Sequence, residues 1–127
     1  MATPFTLSGT LQLPPDLGLP NDNIPFSTSA GFDSRNEAEY SFVGAGTKVV
    51  DFGTITSPGA KAILIEVDPN ATASPILVQF NGGGAPGQVE IAPGGFIAYA
   101  NPVPLTGITS ISIVYSTNVK VRIRLLG

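Results

Sequence analysis

The sequence predicts an all-β domain: an antiparallel β-sandwich, jelly-roll-like, with an extended N-terminal arm. Three observations lead there. No window holds a sustained apolar period of 3.6 residues, so no long amphipathic helix is available. Fifteen Gly and 12 Pro punctuate a chain of 127 residues and interrupt helical runs every few positions. Between them lie short stretches of alternating apolar and polar residues, the pattern of half-buried strands joined by tight turns.

The first 30 residues differ from the rest and form the predicted arm, with residues 31–127 as the sandwich domain. Phe5, Leu7, Leu11 and Leu13 fall on odd positions, so Phe5 to Leu13 reads as a strand. Pro14, Pro15, Pro20 and Pro25 then impose an extended path decorated by Leu17, Leu19 and Ile24. Such a segment has little local reason to fold. It either wraps its own domain or lies on a neighbour.

The strands of the sandwich follow in order. Glu37 to Val43 places Ala38, Tyr40 and Phe42 on one face and Glu37, Glu39 and Ser41 on the other. Lys48 to Ile55 comes after a Gly44-Ala45-Gly46 turn, and Lys61 to Val67 turns Ile63, Ile65 and Val67 inward. Ile76 to Phe80, Gln88 to Ile91, Gly95 to Ala100 and Ser110 to Tyr115 are bounded by Gly, Pro or Asn turns. Val119 to Leu125 has the cleanest alternation: Val119, Val121, Ile123 and Leu125 share one face, and Lys120, Arg122 and Arg124 share the other. Each strand has one apolar face to hide, and two packed antiparallel sheets hide them all.

Composition bounds the function. Charged residues are 12% of the chain, about half the usual share. Water-facing positions are therefore covered by small polar residues or by a partner. The net charge of −3 provides no basic field for nucleic acid. The charge-free stretch from Ile91 to Val119 is broken by Pro93, Gly94, Pro102 and Pro104, so it is no membrane span. With no Cys there is neither a disulfide nor a thiolate metal site. A small domain lacking those staples is usually stabilised by oligomerisation or by docking on a scaffold.

The chemistry for catalysis is sparse. The chain has no His and no Cys, which removes the commonest general base and the thiol nucleophile. Glu37 and Glu39 share a strand face about 7 Å apart, a loose fit to a carboxylate pair but ordinary for a solvated face. Asp33, Ser34, Asn36 and Glu37, or Asp68 and Asn70, offer oxygens to a calcium ion without an EF-hand spacing. Turn chemistry explains Asp68-Pro69-Asn70 as well. The Gly-rich Asn81 to Gly87 lacks the Lys, the Ser/Thr and the following helix of a phosphate loop, and reads as a hairpin tip. Asn70-Ala71-Thr72 matches a glycosylation sequon by chance. No cofactor is expected. The Lys120, Arg122 and Arg124 face either meets a carboxylate-bearing partner or pairs across strands with Glu37, Glu39 or Glu90.

From residue 60 onward a run of phrases resembles a known group. Lys61 to Val67 leads into Asp68-Pro69-Asn70-Ala71-Thr72; Ile76 to Gly82 follows, then Ile91-Ala92-Pro93-Gly94-Gly95-Phe96 and Asn101-Pro102. Gly107 to Ile113 and Val121 to Gly127 complete it. This resembles the capsid decoration (cement) proteins and related virion β-modules of tailed bacteriophages. The resemblance implies a non-enzymatic virion protein, often a homotrimer, clamped on the outer capsid surface against the major capsid protein. It carries no catalytic motif and does not reach the arm. The arm residues Phe5, Leu7, Leu11, Leu13, Leu17, Leu19 and Ile24, with Lys120, Arg122 and Arg124, are the expected partner contacts. The competing expectations are a tail or head-fibre module for a host glycan or receptor, and a β-sandwich lyase or depolymerase.

Overall fold

The computed structural model describes residues 3–13, 22–82 and 88–127. Ten strands and no helix are present among them: β1 (Thr3–Leu13), β2 (Asp22–Phe32), β3 (Arg35–Phe42), β4 (Gly46–Val49), β5 (Ala62–Val67), β6 (Ile76–Phe80), β7 (Gln88–Ile91), β8 (Phe96–Ala100), β9 (Ile111–Tyr115) and β10 (Val119–Leu126). All pairings are antiparallel. One four-stranded sheet has the order β3-β10-β5-β8 and the other β4-β9-β6-β7, while β1 and β2 pair only with each other.

The two four-stranded sheets share one core because each strand turns its β-branched positions the same way. Val119, Val121, Ile123 and Leu125 of β10 are buried beside Ile63, Ile65 and Val67 of β5. Ile76 and Val78 of β6 and Ile111 and Ile113 of β9 meet them from the facing sheet. Among the described residues no polar or charged residue is buried, so the core is held by apolar burial, roughly 25 cal/mol per Å² removed from water. At one side Tyr40, Phe42 and Tyr115 stack across the sheets, with the Phe42 and Tyr115 rings 4.0 Å apart and nearly parallel.

Most of the expected strands are present within a residue or two. The expected strand Lys48 to Ile55 is the exception, since β4 ends at Val49. Asp51 Oδ1 accepts the Gly53 N–H at 2.8 Å and Gly53 takes φ +59°, a turn that ends the ladder. Val50, Phe52 and Ile55 still enter the core, from irregular backbone.

The described part of the arm region is regular. β1 and β2 form a ribbon of two 11-residue strands. The expected strand Phe5 to Leu13 lies within β1, whereas β2 is a strand the sequence reading lacks. It pairs in register with β1, Phe5 opposite Ala30, Leu11 opposite Ile24 and Leu13 opposite Asp22. β2 ends at Phe32, two residues past the arm end expected at residue 30. Leu17 and Leu19 lie outside the described residues, as does Gly83 to Gly87 of the Gly-rich loop.

Candidate functional site: an apolar ribbon beside an unguarded edge

The register sorts the ribbon into two unlike faces. Residues directly opposite in an antiparallel pair share a face. Phe5, Leu7, Leu11 and Leu13 therefore join Phe32, Ala30, Phe26 and Ile24 on one side. Pro4, Thr6, Ser8, Thr10 and Gln12 join Gly31, Ser29, Ser27, Pro25 and Asn23 on the other. The Phe26 ring lies across the ribbon over Gly9. Neither strand carries a charge between Thr3 and Leu13 or between Asn23 and Phe32.

The base of the ribbon is tied to the sandwich. Asp33 and Ser34 donate their N–H groups to Gly127 O at 2.8 and 2.9 Å, and Gly127 N–H donates back to Ser34 O at 2.8 Å. Lys61 Nζ donates to Gly31 O at 2.7 Å, and the Phe5 and Phe32 rings are 6.1 Å apart. From there the ribbon crosses the outer face of the sheet. Phe5 and Leu7 line one shallow cleft with Ala62, Leu64 and Leu126 of β5 and β10. Leu7 and Phe26 to Thr28 line another with Ala98 and Ala100 of β8. β8 is the last strand of that sheet, so a straight continuation of the ribbon towards its tip leads past the sheet edge. Apolar side chains towards the tip stay in solvent: Leu11 is 54% exposed, Ile24 44% and Leu13 42%, while Phe26, beside β8, is 50% exposed. Of the arm residues expected to meet a partner, Phe5 and Leu7 are half-buried facing the chain's own sheet, and Leu11, Leu13 and Ile24 are exposed.

The basic stripe sits on the same outer face, towards β3. Lys120 Nζ is 3.0 Å from Glu39 Oε1, and Arg122 Nε is 3.4 Å from Glu39 Oε2. Arg122 also approaches Asp68 at 3.8 Å, and Arg124 Nη1 donates to Glu66 Oε1 at 2.8 Å with Glu37 at 4.0 Å from its Nε. The cross-strand pairing is thus made with Glu37 and Glu39 as expected. Glu66 and Asp68 are additional partners, whereas Glu90 lies on β7 in the other sheet. The hydrogen bond and charge of Lys120, then the charge of Arg122, hold the Glu39 carboxyl below the usual carboxylate range. All these groups are substantially solvent-exposed, so the panel adds little to stability and gives the face a polar, self-satisfied surface.

The remaining candidate positions resolve into turns. Asn70 Oδ1 accepts the Thr72 N–H at 3.1 Å and its hydroxyl at 2.9 Å. Asn36 donates its side-chain amide to Asp51 O. Among the described residues no three carboxylate, His or Cys side chains gather in a metal-binding cluster.

The sheet edges differ in a way that sequence reading missed. An open edge invites another strand unless charge, Pro or a bulge guards it. Edge strand β3 carries Arg35, Glu37 and Glu39, β4 carries Lys48, and β7 carries Glu90. Edge strand β8, Phe96-Ile97-Ala98-Tyr99-Ala100, carries none of these guards. The signal was the composition of five residues, but only the strand order shows that they lie at an edge.

Comparison with protein-family models, with curated proteins and with solved structures finds no match.

Proposed function

We propose that this chain is a virion structural protein, a non-catalytic β-module that docks on the outside of a phage capsid and stabilises the shell. The observation that carries the reading is the exposed apolar ribbon tip, Leu11, Leu13, Ile24 and Phe26, beside a sheet face whose basic stripe is already paired with carboxylates. An isolated two-stranded ribbon is marginal in water, and one with an uncovered apolar face gains from a neighbour that covers it.

The strand order supports reading the sandwich as a jelly roll, an architecture used in viral capsid domains. From β3 to β6 successive strands alternate between the two sheets, and β7 to β10 return to interleave with them. The likeness of residues 60–127 to phage head proteins points the same way. A protein that binds only the assembled shell adds its binding energy to shell stability, and binding at many equivalent sites multiplies the effect.

The test is co-sedimentation with purified expanded capsids of the phage that encodes the chain, followed by calorimetry of the shell. Saturable binding at a fixed number of copies per capsid, with a raised shell melting temperature, is expected. The double variant Leu11→Ser/Ile24→Ser is expected to bind at least about tenfold more weakly, about 1.4 kcal/mol. Absence of binding by the unaltered protein overturns the proposal.

A further inference from the structure

We propose that the neighbour reached by the ribbon tip is a second copy of this chain, joined edge to edge along β8 about a two-fold axis. The inference rests on the reading of the ribbon as a docking element: the tip joins two copies, and the pair is the unit that docks on the shell.

Backbone geometry makes β8 ready for such a pairing. Asn101 N–H donates to Lys61 O at 2.8 Å, and Val67 N–H donates to Gly95 O at 3.0 Å. Inward bonding therefore falls on the odd residues of this strand. By the alternation of an antiparallel ladder, the N–H and C=O groups of Phe96, Ala98 and Ala100 point outward along the open edge. Their side chains share the outer face with Glu66, Leu64 and Ala62, the residues opposite them on β5.

The sequence of β8 suits self-pairing. A two-fold interface must bring the same patch to itself. Centred on Ala98, an antiparallel β8–β8 pair sets Ala98 against Ala98 and Phe96 against Ala100 of the other copy, a large residue facing a small one at each end. No charge lies on β8, so none is desolvated or opposed to its like. The other three edges of the two four-stranded sheets all carry charge and are unsuited to such a contact.

The ribbon completes the interface. It crosses β8 at Ala98 and Ala100. In the antiparallel pair, the second copy's Phe96 lies beside that end. Phe96 is 65% exposed on the outer face, the same side as the exposed Leu11, Ile24 and Phe26. Each tip would cover the other copy's Phe96. Side chains of this size present on the order of 150–250 Å² each. Covering Leu11, Leu13, Ile24, Phe26 and Phe96, each about half exposed, thus removes on the order of 400 Å² of apolar surface per copy. That is about half of the roughly 800 Å² per partner of a standard interface, to which the paired strand backbones and ribbon flanks add.

Sedimentation equilibrium of the full chain, without capsids, tests the inference. A mass of twice 13.0 kDa is expected at micromolar concentration. Ala98→Lys, which puts a guarding charge on the edge, is expected to raise the dimer dissociation constant at least tenfold, and Leu11→Ser/Ile24→Ser to do the same from the other half of the contact. Circular dichroism and the urea midpoint report that each variant is folded, and either suffices if the other is not. A monomer or a trimer for the unaltered chain, or a dimer indifferent to whichever variant folds, overturns the pairing. A monomer that still binds capsids through its tip leaves the proposed function standing, whereas a dimer that binds no capsid removes that function and keeps the pairing.

Discussion

Ile65→Ala is expected to destabilise the fold by about 2–5 kcal/mol, the range for removing a large aliphatic side chain from a packed core. Ile65 is fully buried on β5, between Ile123 of β10 and Ile97 of β8, and the facing sheet packs against it. A close-packed interior collapses only partly around such a void, so contacts are lost on every side. Against a typical stability of about 5–15 kcal/mol, that loss is large. Ile65→Val removes one methylene and is expected to cost about 0.5–1.5 kcal/mol. Leu105→Ala, at a side chain 93% exposed, is expected to stay within about 0.5 kcal/mol. Urea titrations followed by circular dichroism rank the three. Equal midpoints for Ile65→Ala and Leu105→Ala would contradict the assignment of the core.

Gly59→Ala is expected to have the second large effect, roughly 3 kcal/mol or more, because two penalties coincide. Gly59 takes φ +118°, where an L side chain is strained, and an added Cβ would come within 2.6 Å of Ile108 O. The obstacle is backbone and has little freedom to move. Ala60 N–H donates to Ile108 O at 2.8 Å, and Gly107 N–H donates to Pro58 O at 2.9 Å, so the two loops are zipped together. Gly44 separates the penalties: its φ is +71° but nothing lies within 4 Å of the added atom. Gly44→Ala is expected to cost only the strain, about 1–2 kcal/mol. Thermal or urea unfolding of the two variants checks the contrast, and equal losses would mean that the loop contact at Gly59 is not held.

Much of the sandwich is legible residue by residue, and the exceptions have physical causes. β10 is readable because it is central in its sheet: one face fills the core and the other meets water, so its alternation is strict. β6 and β7 have the expected ends because turn residues bound them. β2 hides behind Pro25, which argues against a central strand. Its alternation of Ile24, Phe26, Ala30 and Phe32 was present all the same. A two-stranded ribbon has an open edge on each strand, where a missing N–H costs little, so Pro25 is tolerated.

The site was legible only in part. That Leu11, Leu13 and Ile24 seek a partner follows from apolar residues in a Pro-rich segment whose only charges are Asp16 and Asp22. That Phe5 and Leu7 face Ala62, Leu64 and Leu126 does not, because these residues are more than 50 positions away along the chain. The unguarded edge is invisible for the same reason. Phe96 to Ala100 reads as a strand, but its single neighbour, β5, is a property of the whole topology. Glu66 and Asp68 likewise become partners of Arg124 and Arg122 only once β10 lies between β3 and β5.

Amide hydrogen exchange of β8, read by nuclear magnetic resonance across a dilution series, tests the central claim most directly. If copies meet along this edge beneath the ribbon tips, the N–H groups of Phe96, Ala98 and Ala100 will gain protection as concentration rises, while those of Ile97 and Tyr99, bonded to β5, stay protected throughout. Fast exchange at the three outward amides, unchanged from dilute to concentrated protein, would contradict it.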